Sequence, residues 1–352
     1  MLSEHRHALH RIPELGWELP KTAEYLKMQL GKLPCTVFSP VGTAVCAYFD
    51  LGKAETVAFR SDMDALPIME ETGLPYASTH AGKMHACGHD GHMSILLGLA
   101  EYVAAHPEVP SRNVLLIFEP AEETNGGALS ICETGLFDAY HVARVFGLHL
   151  WPELPKHAVA ACEGPMMARS SELTVEVTGT SVHIAKWREG KDALAAAAEF
   201  LTRAEALGER QPCVLRFGKL ESGEVRNAVA RFARLEGSLR AFDDGLFLRL
   251  WGQLKDLAAE ISEKTGCTLT PSITDGYPPV TNDAALLAEV RSRYPVGKAE
   301  PSYTTEDFSE YQRRAPGVFF FLGTGGKPVH SPYFDFDERV LETGLALFRT
   351  LL

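Results

Sequence analysis

Two apolar runs, residues 113–118 and 318–322, set the firmest limit on what this chain can fold into. Each is far shorter than the roughly 20 residues a membrane-spanning helix requires. Runs of this length suit strands buried on both faces, as in a parallel sheet covered by helices. Around them the periodicity alternates. Residues 21–33 repeat their apolar positions at helical spacing, residues 43–49 and 56–59 read as strands, and from His89 the residues Met93, Leu96, Leu97, Ala100 and Val103 mark one helix face that ends before Pro107. Strands alternating with helices predict an α/β layer, mostly parallel, with helices on both faces.

Near residue 166 the pattern changes. Glu172-Leu-Thr-Val-Glu-Val-Thr178 alternates with period two, as a strand with one wet face does. An Ala- and Leu-rich helix over 191–207, strands around 214–220 and 228–239 and a helix over 245–264 complete a β-α-β-β-α-β order. The expectation is therefore a smaller, ferredoxin-like α+β domain over 166–275, set into a catalytic domain formed by 1–165 and 276–352. The last third, with a helix over 283–293, a strand over 318–322 and a helix over 338–351, reads as the first domain resumed.

Charge narrows the class of partner. Thirty-four Lys and Arg against 46 Asp and Glu give a net charge of −12, which argues against nucleic acid, since duplex binding rests on clustered cations. No apolar segment is long enough for a membrane and no signal-like N-terminal run is visible, so a cytoplasmic protein is expected. Seven cysteines without a C-x-x-C pair point to reduced thiols.

Chemistry concentrates at the strand ends, where open α/β sheets bind ligands. His85-Ala-Cys87-Gly-His89-Asp90-Gly-His92 places four side chains able to ligate a metal at the mouth of the helix that begins at His89. A thiolate and an imidazole two positions apart in a turn can face one point and offer a borderline-soft cation such as zinc its preferred donors. The run 114–118 leads into Glu119-Pro-Ala-Glu122-Glu123, where one carboxylate can ligate while its neighbour takes a proton from water. Asp62 and Asp64 end another strand, and metal-bound imidazoles commonly donate their second N–H to such a group. His149 and His330 are each read as ending an apolar strand. Together these segments supply Cys, Glu and three His, a set suited to two metals.

Several longer motifs carry a resemblance. His10-Arg-Ile-Pro-Glu-Leu-Gly16, Arg60-Ser-Asp-Met-Asp-Ala-Leu-Pro67, Thr72-Gly-Leu-Pro75, His85-Ala-Cys-Gly-His-Asp90, Pro120-Ala-Glu-Glu123 and Glu306-Asp-Phe308 resemble the M20 metallopeptidases, in their amidohydrolase branch, over nearly the whole chain. The resemblance implies two divalent ions (Zn, Mn, Co or Ni) held by Cys87, His89, Glu123, His149 and His330, with Glu122 as the general base that activates water and then protonates the leaving amine. Asp62 and Asp64 would be active-site carboxylates orienting the metal ligands. The ferredoxin-like insert is similar to the family's lid and dimerisation domain. By that likeness His183 would reach across a homodimer to the scissile carbonyl, while Asn227 and Arg240 would contact substrate carbonyl and carboxylate. One stretch departs from the family pattern: where relatives carry a Pro-His soon after the lid histidine, this chain has Ile184-Ala-Lys-Trp187-Arg188. The implied reaction is removal of an N-acyl group, acetyl first, from an amino acid bearing a free carboxylate. A hippurate-type acylase is the nearest alternative. A metal-free cysteine hydrolase using Cys87 and His89, or a non-catalytic binding protein, is the alternative of another class.

Overall fold

The computed structural model describes residues 2–124 and 126–352. The chain divides into two compact units.

The first unit comprises the chain up to Met166, Val280–Glu300 and Asp307–Leu352. Its strands are β1 (Thr36–Phe38), β2 (Val45–Phe49), β3 (Thr56–Asp62), β4 (Asn113–Glu119), β5 (Val142–Trp151) and β6 (Val159–Ala161), with β7 (Gly164–Met167) following. Its helices up to that point are α1 (Leu2–His10), α2 (Pro20–Leu30), α3 (His89–Ala105), α4 (Gly127–Glu133) and α5 (Leu136–Ala139). The second unit, Met167–Pro279 with Pro301–Glu306, holds β8 (Arg169–Thr178), α6 (Ala193–Gly208), β9 (Cys213–Ser222), β10 (Phe232–Ala241), α7 (Asp244–Thr265) and β11 (Thr268–Ile273). The first unit then resumes with β12 (Val280–Asn282), α8 (Ala284–Arg293), β13 (Gly297–Lys298), α9 (Ser309–Gln312), β14 (Gly317–Gly323) and α10 (Val340–Thr350).

Eight strands of the first unit form one sheet in the order β1-β2-β4-β3-β5-β14-β6-β13. The central four, β4-β3-β5-β14, run parallel. All seven residues of β3, β4 and β14 are buried, as the unbroken apolar runs require. Parallel alignment brings the carboxyl ends of these strands to one edge, with Asp62 paired to Glu119 and His149 to Phe321. The expected mostly parallel α/β sheet is thus present, with antiparallel β1, β2 and β6 added to it.

Buried polar groups on that edge are tied to one another. Arg60, 2% exposed on β3, donates through Nε to Glu119 Oε2 at 2.7 Å, through Nη1 to Asp62 Oδ2 at 2.9 Å and through Nη2 to Asp307 Oδ1 at 2.9 Å. Asp307 also accepts the backbone N–H of Ala128, at the start of α4. The strand predicted to stop at Phe59 runs on to Asp62 because this cluster satisfies the charges it carries inward. Two glycines shape the same edge. Gly88 sits at φ 89° immediately before α3, and a Cβ on Gly127 would lie 1.9 Å from the Pro120 carbonyl oxygen, so the chain can double back after β4 only with hydrogen there.

The second unit pairs its strands in the order β11-β8-β10-β9, all antiparallel, with α6 and α7 closing a core of Val175, Phe200, Leu235, Phe247 and Leu254. This is the ferredoxin-like arrangement the sequence predicts. Burial along β8 alternates from Ser171 to Thr178, so the period-two pattern reports one face on the core. Pro301–Glu306 joins this unit as the backbone N–H of Ala168 donates to the carbonyls of Ser302 and Thr304. No helix among the described residues is long and apolar enough to cross a membrane.

Replacing Arg60 by Met would leave Asp62, Glu119 and Asp307 without their shared buried cation. Urea denaturation of Arg60→Met is expected to show a loss of about 3–5 kcal/mol, with Arg60→Lys recovering part of it; wild-type stability would contradict the buried network.

Candidate metal centre

Cys87 and His89 flank Gly88, so the left-handed turn before α3 points both side chains to the same side of the sheet edge. His149 lies near the end of β5, and Glu122 and Glu123 follow β4. The His330 segment completes the group from a different kind of structure. His330 does not end a strand as expected: β14 closes at Gly323, and His330 stands in the irregular stretch beyond it at φ 61°. Its backbone N–H donates to the Ala86 carbonyl at 2.8 Å, which fixes it beside Cys87.

The donors converge on the Cys87 sulfur. His149 Nε2 and His330 Nε2 each lie 3.3 Å from Cys87 Sγ, and His330 Nε2 lies 3.3 Å from Glu123 Oε1. His89 Nε2 is 4.0 Å from the same Glu123 oxygen. Two compact triads result, Cys87-His89-His149 and Cys87-Glu123-His330, sharing the thiol. Glu122 joins His89 and Glu123 in a third group whose donor atoms lie within 4.8 Å of one another.

Hydrogen bonds on the far side of each ring decide which nitrogen faces the centre. His89 Nδ1 donates to the Asp64 carbonyl at 2.8 Å and His149 Nδ1 to the Leu150 carbonyl at 2.7 Å. A carbonyl only accepts, so each Nδ1 carries a proton and each Nε2 is the nitrogen turned toward the centre. Buried His89 Nε2 and Glu123 Oε1 have no hydrogen-bond partner among the described residues, a costly state for such atoms unless something else meets them. A Cys, His, Glu donor set with its Nε2 atoms turned inward fits a pair of borderline cations.

The remaining histidines of the motif separate cleanly. His92 accepts the Leu150 backbone N–H at Nε2 and donates from Nδ1 to Asp62 Oδ1 at 2.6 Å, so neither nitrogen is available as a ligand. His85 is buried beside Asp90 and His10, and burial pushes its pKa down to about 3. Asp62 spends its oxygens on Arg60 and His92 while lying 3.7 Å from His89 Nε2, and these cationic and donor neighbours outweigh burial and hold it well below the usual carboxylate range. Asp64 accepts the backbone N–H groups of Glu122 and Glu123, each at 3.2 Å, strapping that loop to the end of β3. Arg60 and this strapping were not foreseen. An arginine inside an otherwise apolar strand was the available signal, because such a charge must be paired where it is buried.

The second unit places the other expected residues as follows. His183 caps a 3₁₀ turn, Ile184–Glu189, by accepting the Ala185 N–H at Nδ1, which leaves the proton on Nε2, and the ring is exposed. Asn227 lies beside it, its carbonyl accepting the Ile184 N–H at 2.9 Å. Arg240 is held at two points, Nη1 on the Tyr303 carbonyl and Nε on Ser238 Oγ. Exposed Trp187 carries the Arg188 guanidinium 4.6 Å from its ring centre.

Proton bookkeeping gives a test. Burial, with Glu123 nearby, pushes the Cys87 thiol well above its ordinary value. Burial alone would lower His89, but Asp62 and Cys87 outweigh it and hold the ring proton more tightly than usual. A divalent ion entering here must displace those protons. Apparent zinc affinity, measured by chelator competition, is therefore expected to rise between pH 6 and pH 8 by about tenfold per unit for each proton released; a flat profile would contradict this donor set.

The model of peptidase family M20/M25/M40 matches residues 58–352. An N-acetyldiaminopimelate deacetylase of Limosilactobacillus fermentum is 36% identical over 97% of this chain and 93% of its own length, and one of Shouchella clausii is 35% identical over 95% and 91%. A Bacillus subtilis crystal structure, described as a dinuclear metal binding peptidase of the M20 family, superposes with a TM-score of 0.88 at 29% identity, covering 99% of this chain and 96% of that one. A structure from methicillin-resistant Staphylococcus aureus gives a TM-score of 0.94 at 29% identity, with 99% and 95% covered.

Proposed function

The chain belongs to peptidase family M20/M25/M40, and from that premise we propose that it removes the acetyl group of an N-acetyl amino acid, N-acetyldiaminopimelate first among them, by metal-dependent amide hydrolysis. The observation that carries this reading is the pair of donor triads sharing Cys87, with Glu122 in the adjoining carboxylate group. Curated relatives bearing the deacetylase name match almost the entire chain at 35–36% identity, which favours acetyl over the aromatic acyl groups of hippurate-type enzymes.

Cys87, His89, Glu123, His149 and His330 would hold two divalent cations, which when bound supply Lewis-acid polarisation of the amide carbonyl and lower the pKa of water. Glu122 takes a proton from the attacking water as the new C–O bond forms. It then delivers that proton to the amide nitrogen as the C–N bond breaks, and the second water proton passes to the same nitrogen, so acetate and a protonated amine leave and Glu122 is regenerated as a carboxylate. Asp64 keeps Glu122 and Glu123 in register through their backbone N–H groups. Asp62, with Arg60 and His92 on its two oxygens, holds negative charge beside His89.

Substrate contacts fall to the ferredoxin-like unit as its lid role. His183 presents an exposed Nε2–H suited to a carbonyl oxygen, Asn227 stands beside it, and Arg240 offers a guanidinium whose plane is fixed for a carboxylate. Exposed apolar residues Ile184, Trp187, Leu220, Val225 and Phe232 of this unit support a homodimer contact. Seven unpaired cysteines support a reducing, cytoplasmic setting. A cysteine hydrolase is disfavoured, since burial, with Glu123 nearby, pushes the Cys87 thiol well above its ordinary value, whereas a nucleophile must be a thiolate.

Glu122→Gln is expected to retain two metals per chain and lose about 10²- to 10⁴-fold in kcat, read as released amine and by elemental analysis; near-normal turnover would refute the general base. On the wild-type enzyme loaded with metal, N-acetyldiaminopimelate is expected to outrun benzoylglycine in kcat/KM, with chelator abolishing both activities. The reverse preference would select the hippurate-type reading, and chelator-insensitive turnover would overturn metal dependence.

A further inference from the structure

Four of the five converging donors follow regular structure closely: Cys87 and His89 at the start of α3, Glu123 just after β4 and His149 on β5. His330 differs. It stands in the stretch between β14 and α10, its φ is 61°, and its side chain is half exposed. A non-glycine residue in that backbone region costs free energy and persists only when its surroundings impose it. The position of the His330 imidazole therefore depends on what tethers its segment.

One tether is deep. Arg6, on α1, has no solvent exposure. Its Nε donates to Asp90 Oδ2 at 3.2 Å, its Nη2 to Asp335 Oδ1 at 2.8 Å, and its Nη1 to Glu338 Oε1 at 3.1 Å, to the Phe336 carbonyl at 3.4 Å and to Tyr76 Oη at 3.3 Å. The guanidinium carbon lies 3.8 Å from the Phe336 ring centre. Asp90 is the residue after His89 in the first turn of α3, and Asp335 lies five positions after His330. A planar fork that bonds different partners through different nitrogens fixes angle as well as distance, which an ammonium would not do.

We propose that Arg6 is a positioning residue for the His330 half of the metal centre: its guanidinium rivets the segment carrying His330 to the helix that begins with His89. The Ala86 carbonyl and the backbone N–H of Glu71, which donates to the Pro332 carbonyl, hold the nearer end of that segment. Arg6 holds the farther end through Asp335 and Phe336. Cutting this link loosens one triad, Cys87-Glu123-His330, and leaves Cys87-His89-His149 intact.

Asp335→Ala makes the cleanest cut, because the Asp335 side chain is one-third exposed and Arg6 keeps Asp90. Co²⁺ titration of the full chain, followed by thiolate-to-metal absorption and by competition with a chelator, separates the two sites. The inference rests on the two-metal reading above, so wild-type protein is titrated first; failure of wild type to bind two ions would sink that reading and this one with it. Given two sites, Asp335→Ala is expected to weaken one by about tenfold and leave the other within twofold, in line with the 10- to 100-fold effect of groups that orient metal ligands. His330→Ala should abolish that same site, and adding Asp335→Ala to it should change nothing further. Arg6→Lys, if folded, should weaken the same site. Unchanged constants in Asp335→Ala, equal weakening of both sites, or additivity with His330→Ala would each overturn the assignment.

Discussion

Burying lone pairs without partners is the constraint on which the rest of this structure turns. Around the Cys87 sulfur, two imidazole nitrogens stand at 3.3 Å, and a third imidazole and a carboxylate close the group, with His89 Nε2 and Glu123 Oε1 lacking a hydrogen-bond partner among the described residues. A packed core would not keep such atoms together by itself. Cations held there would make their mutual approach tolerable, and the groups that orient them keep that approach reproducible. The Asp64 and Leu150 carbonyls set the ring tautomers, the Asp64 carboxylate straps the Glu122-Glu123 loop, and Arg60 neutralises the carboxylates beneath.

The fold serves this requirement through strand direction. Four central strands run parallel, so their carboxyl ends gather at one edge, and residues far apart in sequence become neighbours without long loops. The cost of placing charge there is met locally, where Arg60 bonds three carboxylates: Asp62 on its own strand, Glu119 on neighbouring β4 and Asp307 in the turn before α9. The ferredoxin-like unit brings a different surface, with His183 and Asn227 side by side and Arg240 fixed at two points.

Much of this was readable from sequence, and for a physical reason. Cysteine, histidine and paired glutamates are unusual at the ends of apolar runs, so each interruption of the hydrophobic pattern marked a donor: Cys87 and His89 before α3, Glu122 and Glu123 after β4, His149 on β5. Four ligand-capable side chains in one motif could not be sorted that way. His92 has both nitrogens claimed, by Asp62 and the Leu150 N–H, whereas His89 has only Nδ1 claimed, by the Asp64 carbonyl, and these partners are distant in sequence. His330 was expected at a strand end because Val329 precedes it, whereas a left-handed turn beyond β14 delivers it. Arg6 and Arg60 escaped notice because their partners lie in other segments, although a charge within an apolar strand or on the buried face of a helix always needs an answer in the interior.

The account stands on two cations sharing one sulfur, and anomalous diffraction from crystals grown with zinc or manganese tests it most directly. Two peaks about 3.5–4 Å apart are predicted, both at Cys87 Sγ, one also at His89 and His149 and the other at Glu123 and His330. A single peak, or peaks bound away from Cys87, would contradict it.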